Sequence, residues 1–319
     1  MFVLPNHKNI IDHIMESIKQ RADIHHSSKV SRIESQVSQH ADPKILVTVE
    51  KNGQSQIHEF DEVIVTVPLG CLKRDYINFE PPLPSDIRRA VHNASISSLE
   101  KVYVAFPTAF WDSADAETDC NGSTEATKGG AFPSFASFLS PPDEANAYPP
   151  HSLEVNSMSN KALFGDDARP ILLFQLYGNS AKELTAEMQG FKPGNPKYFQ
   201  RIIDYLEPYY SQLPNYAAND AQCKPTAVLA TNWQKDELAG HGSYTNFKVS
   251  KPGTSVDIVL DKEIKTMRKG MPERGVWFAG EHTAPFVAVG TSTGAYWSGE
   301  MVGMRMLATN GFVQQETQE

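Results

Sequence analysis

The apolar positions of this chain change their spacing several times, and each change marks an element. Over residues 6–21, Ile10, Ile11, Ile14 and Ile18 fall on one stripe, which predicts an amphipathic helix. Short strands are expected around Ile24 and at Lys29–Ile33. Residues 44–50 and 55–60 then read as strands, and Asn52-Gly53 between them is a hairpin turn signal. Val63 to Val67 is an unbroken β-branched run, which predicts a fully buried strand stopped by Pro68. A helix is expected from Pro82-Leu-Pro84 through Ile87 and Val91 to about Ala94, and Lys101–Phe106 alternates as a strand. Residues 112–168 are dominated by Ser, Ala, Asp, Gly and Pro, so a long excursion is expected there with one strand at Ser134–Leu139. Order returns with a strand at 170–177, helices at 180–189 and 196–213, and a strand at Val228–Trp233. Residues 234–270 read mostly as loop.

The last quarter is the most informative stretch. Val276 to Ala279 reads as a buried strand, followed by Gly280-Glu281 and a loop rich in glycines and hydroxyls. An apolar helix follows from about Thr293 to Leu307. A strand that enters a helix through such a loop offers free backbone N–H groups and a positive helix end to an electron-rich group. Glu281 at the strand end can accept hydrogen bonds from sugar hydroxyls or backbone amides. The run therefore looks built to hold a nucleotide cofactor. The usual partner of such a site, a Gly-x-Gly-x-x-Gly turn, does not occur in the sequence.

Elements at both ends flank a separate α+β block. The expectation is a discontinuous domain formed by residues 1–94 and 233–319, with a second domain at 95–232. Composition supports a folded protein: 40% of the 319 residues are hydrophobic and 10% aromatic. A net charge of −9 argues against a nucleic-acid partner, which would call for a basic face. No apolar run is long enough to span a membrane, residues 1–20 do not form a signal peptide, and the final Thr-Gln-Glu is no peroxisomal address, so a cytoplasmic protein is expected. Cys71, Cys120 and Cys223 lie far apart and read as reduced thiols. His25-His26 and the pair His7 and His13 lack a third ligand at metal-site spacing, so no metal site is expected.

Four blocks, in order, carry a family resemblance. They are Val30-x-x-Ile33; Val63-Ile-Val-Thr-Val-Pro-Leu-Gly-x-Leu-Lys73 with Phe79-x-Pro-Pro-Leu-Pro84; Leu99-Glu-Lys101-Val with Phe110-Trp111; and Thr231-Asn-Trp233, Gly242-Ser-Tyr244 and Phe278-Ala-Gly-Glu-His-Thr283 running to Gly294-Ala and Ser298-Gly299. The chain resembles the flavin-dependent amine oxidases: polyamine oxidases, monoamine oxidases and lysine-specific histone demethylases. The resemblance implies an α/β FAD-binding domain of Rossmann type, here incomplete, with an inserted sheet-and-helix substrate domain. It implies FAD as cofactor and a small amine plus dioxygen as reactants, with hydride passing from the amine α-carbon to the flavin and hydrogen peroxide as product. A polyamine or other secondary amine is the expected substrate, and a histone demethylase is the sister reading.

By position, the resemblance places the Val30 backbone at the adenine and Gly280 and Glu281 near the ribose and pyrophosphate. Thr291, Ser292 and Thr293 would face the pyrimidine end of the flavin. Lys101 would reach flavin N5 through a water, and Trp233 and Tyr244 would line an aromatic wall. A second aromatic common in the family falls nearest to Leu238, so the cage is incomplete. The departure is the missing glycine-rich phosphate turn, which would supply the pyrophosphate with backbone contacts. The expectation is that this sequence is the C-terminal part of such an oxidase, with Val63–Val67 lacking neighbouring strands. The alternative is an inactive remnant serving as a binding module.

Overall fold

A computed structural model describes residues 7–35, 44–112, 132–139, 152–247 and 260–313. The chain divides into two compact units, Met1–Ser97 with Asp236–Glu319, and Ser98–Lys235. Each border lies three residues beyond the one expected, so Trp233 falls in the second unit rather than the first.

The first unit opens with α1 (His7–Glu16), β1 (Lys29–Ser35), β2 (Ile45–Lys51), β3 (Gln54–Phe60) and β4 (Val63–Val65). It continues with α2 (Leu69–Lys73), β5 (Asn78–Glu80), α3 (Ser85–Asn93) and β6 (Ser95–Ile96). No strand forms at Ile24. Asn52 and Gly53 both take positive φ (53° and 75°), the geometry of a two-residue hairpin turn, and this sets Lys51 opposite Gln54. The sheet order is β3-β2-β1-β5, antiparallel except for the β1–β5 pair. Its core gathers Ile33, Ile45 and Val47 with Ile87, Ala90 and Val91 of α3.

The second unit contains β7 (Leu99–Ala105), β8 (Phe135–Phe138), β9 (Leu153–Ser157), α4 (Lys161–Phe164) and β10 (Ile171–Tyr177). It ends with α5 (Gly178–Glu187), α6 (Pro196–Tyr210) and β11 (Ala227–Ala230). The five strands form an antiparallel sheet in the order β11-β7-β10-β9-β8. One face carries Val102, Val104, Leu172, Phe174, Leu176 and Val155, all buried in a core completed by Leu184 of α5 and Ile202, Leu206 and Tyr209 of α6. Burial of large apolar and aromatic side chains at about 25 cal/mol per Å² makes this face the main stabilising layer of the unit. Asn195 caps α6 by accepting from the Lys197 amide at 2.8 Å, and Pro196 occupies the first turn, where its missing N–H costs nothing.

The chain then returns to the first unit with β12 (Thr245–Asn246), α7 (Leu260–Lys269), β13 (Val276–Phe278) and α8 (Ser292–Thr309). Residues 113–131, 140–151 and 248–259 fall outside the described residues, and with them most of the excursion expected at 112–168. Within that excursion β9 and α4 accompany the one expected strand. The polar alternation of Leu-Glu-Val-Asn-Ser hides β9, which is buried only because β10 and β8 flank it. The loop expected at 234–270 contains α7, which buries Ile264 and Met267 one turn apart. Its sequence signal was electrostatic: Asp261 and Glu263 in the first turn and Arg268 and Lys269 in the last complement the helix dipole.

The strand expected over Val63–Val67 is shorter and less buried than its pattern suggests. β4 ends at Val65 and pairs in parallel with β13, so it does have a neighbour. Val65 is buried, but Ile64 is 40% exposed although it sits opposite Trp277, which is 1% exposed. Val302 and Met306 of α8 cover Trp277. Among the described residues no further strand lies beyond β4 to cover Ile64.

Candidate cofactor and amine site

Local geometry makes the loop between β13 and α8 rigid. After Phe278, the Gly280 amide donates to Ser298 Oγ of α8 at 2.9 Å, and the Gly280 carbonyl accepts from Thr283 Oγ1 at 3.1 Å. Thr283 and Ser298 hydroxyls lie 2.6 Å apart, and Arg268 of α7 donates from Nε to the Thr283 carbonyl at 2.7 Å. These bonds pin the 3₁₀ turn Glu281–Thr283 to both helices. A buried hydroxyl network of this kind holds a single arrangement, because each unpaired member would carry a desolvation penalty.

Glu281 spends its carboxylate on the loop itself. One oxygen accepts from the Thr245 amide at 3.1 Å and from the Thr245 hydroxyl, and the other accepts from the Gly290 amide at 2.8 Å. Gly290 has φ +76°, and a Cβ there would come within 3.0 Å of Tyr244 Cδ2, so the Tyr244 ring lies against this glycine. Thr291 caps α8: its hydroxyl accepts from the Gly294 amide at 2.9 Å and donates to the Ala288 carbonyl at 2.7 Å. Ser292 and Thr293, exposed, open the first turn of this 18-residue helix. First-turn amides have no partner inside their own helix and carry the positive end of its dipole. The structure thus brings Gly280, Glu281 and Thr291 into one clamped loop that leads into Ser292 and Thr293 of α8, with Tyr244 packed against it. Val30 lies on β1 in a different sheet, opposite Val49.

His282 is 1% exposed, its Nε2 has no hydrogen-bond partner among the described residues, and its ring lies beneath Gly280. Burial pushes its pKa down to about 4, so the ring is neutral.

In the second unit, Lys101 and Trp233 are held through a residue that was not singled out from sequence. Glu100 is fully buried. It accepts from Thr231 Oγ1 at 2.6 Å, the Trp233 amide at 3.2 Å and the Gln234 amide at 3.1 Å. The two amides begin the 3₁₀ turn Trp233–Lys235, so the strand expected to continue to Trp233 stops at Ala230. Thr231 also accepts from the Lys101 amide at 2.8 Å and donates its own amide to the Lys101 carbonyl at 2.9 Å. The Glu100 carboxylate therefore links the backbone of Lys101 to that of Trp233. Its signal in the sequence was weak but present: Glu100 shares the period-2 face of Val102 and Val104, where a charge must find partners. The Lys101 side chain points to the other face and is half-buried. Trp233 is 41% exposed, and Leu238, at the position nearest the absent second aromatic, is 71% exposed.

Among the described residues no group of His, Cys, Asp and Glu is placed to hold a metal, and no helix is long and apolar enough to cross a membrane. Lysine-specific histone demethylase 1B of Mus musculus is 31% identical over 293 residues, 90% of this chain and 28% of that protein. Polyamine oxidase 4 of Oryza sativa subsp. japonica is 25% identical over 90% of this chain and 45% of its own length. Lysine-specific histone demethylase 1 homolog 2 of Arabidopsis thaliana is 25% identical over 83% of this chain and 29% of its own length. The chain thus spans less than half the length of each of these relatives. Residues 7–307 match the family described as flavin containing amine oxidoreductase, and with a match over nearly its whole length the chain belongs to that family of FAD enzymes.

Proposed function

We propose that this chain contributes the flavin-facing loop and the amine-facing sheet of an FAD-dependent amine oxidase acting on a polyamine or other secondary amine. The observation that carries the reading is the clamped loop that ends in the open first turn of α8. The residues present fit the group: exposed first-turn positions at Ser292 and Thr293 suit the electron-rich pyrimidine edge of a flavin, and a loop fixed by Glu281 needs no reordering to receive it. The parallel β4–β13 pair leading into α8 supports reading the first unit as part of a dinucleotide-binding layer of Rossmann type.

In this reading Gly280 and the Glu281 turn lie toward the ribose and pyrophosphate, Val30 toward the adenine, and Thr291, Ser292 and Thr293 toward the ring. When bound, FAD supplies the two-electron oxidation of a C–N bond, with dioxygen as final acceptor. The chain's own residues do the positioning. Trp233, 41% exposed, is the aromatic the sheet unit offers the amine, and Tyr244 is the aromatic that lies against Gly290 of the flavin-facing loop. An apolar surround favours the neutral amine, the form that can be oxidised, because burial disfavours the ammonium. Lys101 is the cationic residue assigned to the chemistry in this reading; its backbone is held by Thr231, which Glu100 also binds.

The test is the visible spectrum of the purified protein. A flavin band in the blue that an added amine bleaches is expected. A colourless, folded protein that ignores added FAD would favour a binding module.

A further inference from the structure

The five-stranded sheet has two faces: one packs into the core described above, and the other buries Leu173 and Asn156 but leaves Lys101, Gln175 and Glu154 half-buried. On the other, the register sets Lys101 opposite Gln175 and Gln175 opposite Glu154; the next row holds Tyr103, Leu173 and Asn156. Side-chain hydrogen bonds knit these strands together. The Tyr177 hydroxyl lies 3.1 Å from Glu154 Oε2 and 3.2 Å from Gln175 Oε1, so one phenolic proton serves two acceptors. Gln175 Nε2 donates to Asn156 Oδ1 at 2.7 Å. Among the described residues Glu154 is the only carboxylate on the strands of this face, and no lysine or arginine pairs with it. Tyr177 fixes its orientation without neutralising its charge.

We propose that Glu154 determines substrate class by holding a second, cationic nitrogen of an aliphatic polyamine whose oxidised end lies by Lys101. The inference rests on the amine-oxidase reading above. Two inter-strand steps separate Lys101 from Glu154, a lateral distance of about 10 Å. An extended chain of about eight bonds, each near 1.5 Å, covers that distance. A triamine such as spermidine reaches it; a simple monoamine has no charge to place there. A half-buried carboxylate gives an ammonium a charge-assisted hydrogen bond, roughly twice as strong as a neutral one. The amide oxygen of Gln175 between the two ends offers a middle nitrogen a further acceptor.

The experiment compares the flavin-loaded protein with its Glu154→Gln and Glu154→Asp variants, using calorimetric binding of spermidine and of butylamine together with KM and kcat for both. For Glu154→Gln, the spermidine-to-butylamine affinity ratio is expected to fall roughly tenfold or more, seen in KM rather than kcat, the scale set by losing one charged hydrogen bond. Glu154→Asp should recover part of it. A ratio unchanged in Glu154→Gln, in a protein whose flavin both amines still bleach, overturns this inference and leaves the oxidase reading intact. A protein that binds flavin but neither amine overturns both.

Discussion

The buried histidine beneath the cofactor loop sets a quantitative test. His282 has a folded-state pKa of about 4 against an ordinary value of 6.5, and the cause is burial of a ring that is 1% exposed. The unfolded chain therefore binds more protons than the folded one between those values, so stability rises with pH across that window. The contribution is complete above pH 6.5 and is lost progressively as pH falls toward 4. The difference of about 2.5 pH units corresponds to about 3 kcal/mol at 1.36 kcal/mol per unit. His282→Leu puts an apolar side chain of similar size in that place, and it also removes the unpartnered Nε2, whose burial costs about 1–3 kcal/mol. Urea denaturation from pH 7 to pH 4 should show the wild type losing about 3 kcal/mol more than the variant. Parallel stability curves over that range would refute the reasoning, because they would mean that the ring titrates alike in the folded and unfolded states.

Three further outcomes follow from named contacts. Glu100→Ala leaves the Thr231 hydroxyl and the Trp233 and Gln234 amides without their acceptor, so it should cost about 3–5 kcal/mol in thermal or urea unfolding; a loss below about 1 kcal/mol would mean water replaces the carboxylate. Gly294→Ala would set a Cβ 2.0 Å from the Ala288 carbonyl oxygen, a backbone clash that should destabilise the α8 start by about 1–3 kcal/mol or more and weaken flavin retention; retention equal to wild type would show that the loop yields freely. Lys101→Met is expected to slow flavin reduction or reoxidation in stopped-flow traces while FAD stays bound, and unchanged rates in both half-reactions would remove Lys101 from the chemistry.

Much of the fold was legible because the deciding forces are local. The Asn52-Gly53 turn follows from residues that tolerate positive φ, and β7, β10, α6 and α8 follow from apolar spacing that matches one element period. The family, too, was readable from short blocks whose residue order survives without any knowledge of contacts. The pattern misled where a segment's environment comes from distant chain. Ile64 reads as core, yet it is exposed because β4 has a single described neighbour. β9 and α7 read as loop, yet packing against β10 and α3 orders them.

The site shows the same division more sharply. Sequence alone picked out Glu281 and the hydroxyl-rich loop, because strand–glycine–helix chemistry is local, and the family resemblance added Thr291. Only the tertiary structure decided what those groups hold on to. The Glu281 carboxylate meets Thr245, 36 residues earlier, and Glu100 meets Thr231, 131 residues later. A buried carboxylate must be satisfied by whichever donors folding brings to it, and a one-dimensional pattern carries the demand but not the identity of the donor.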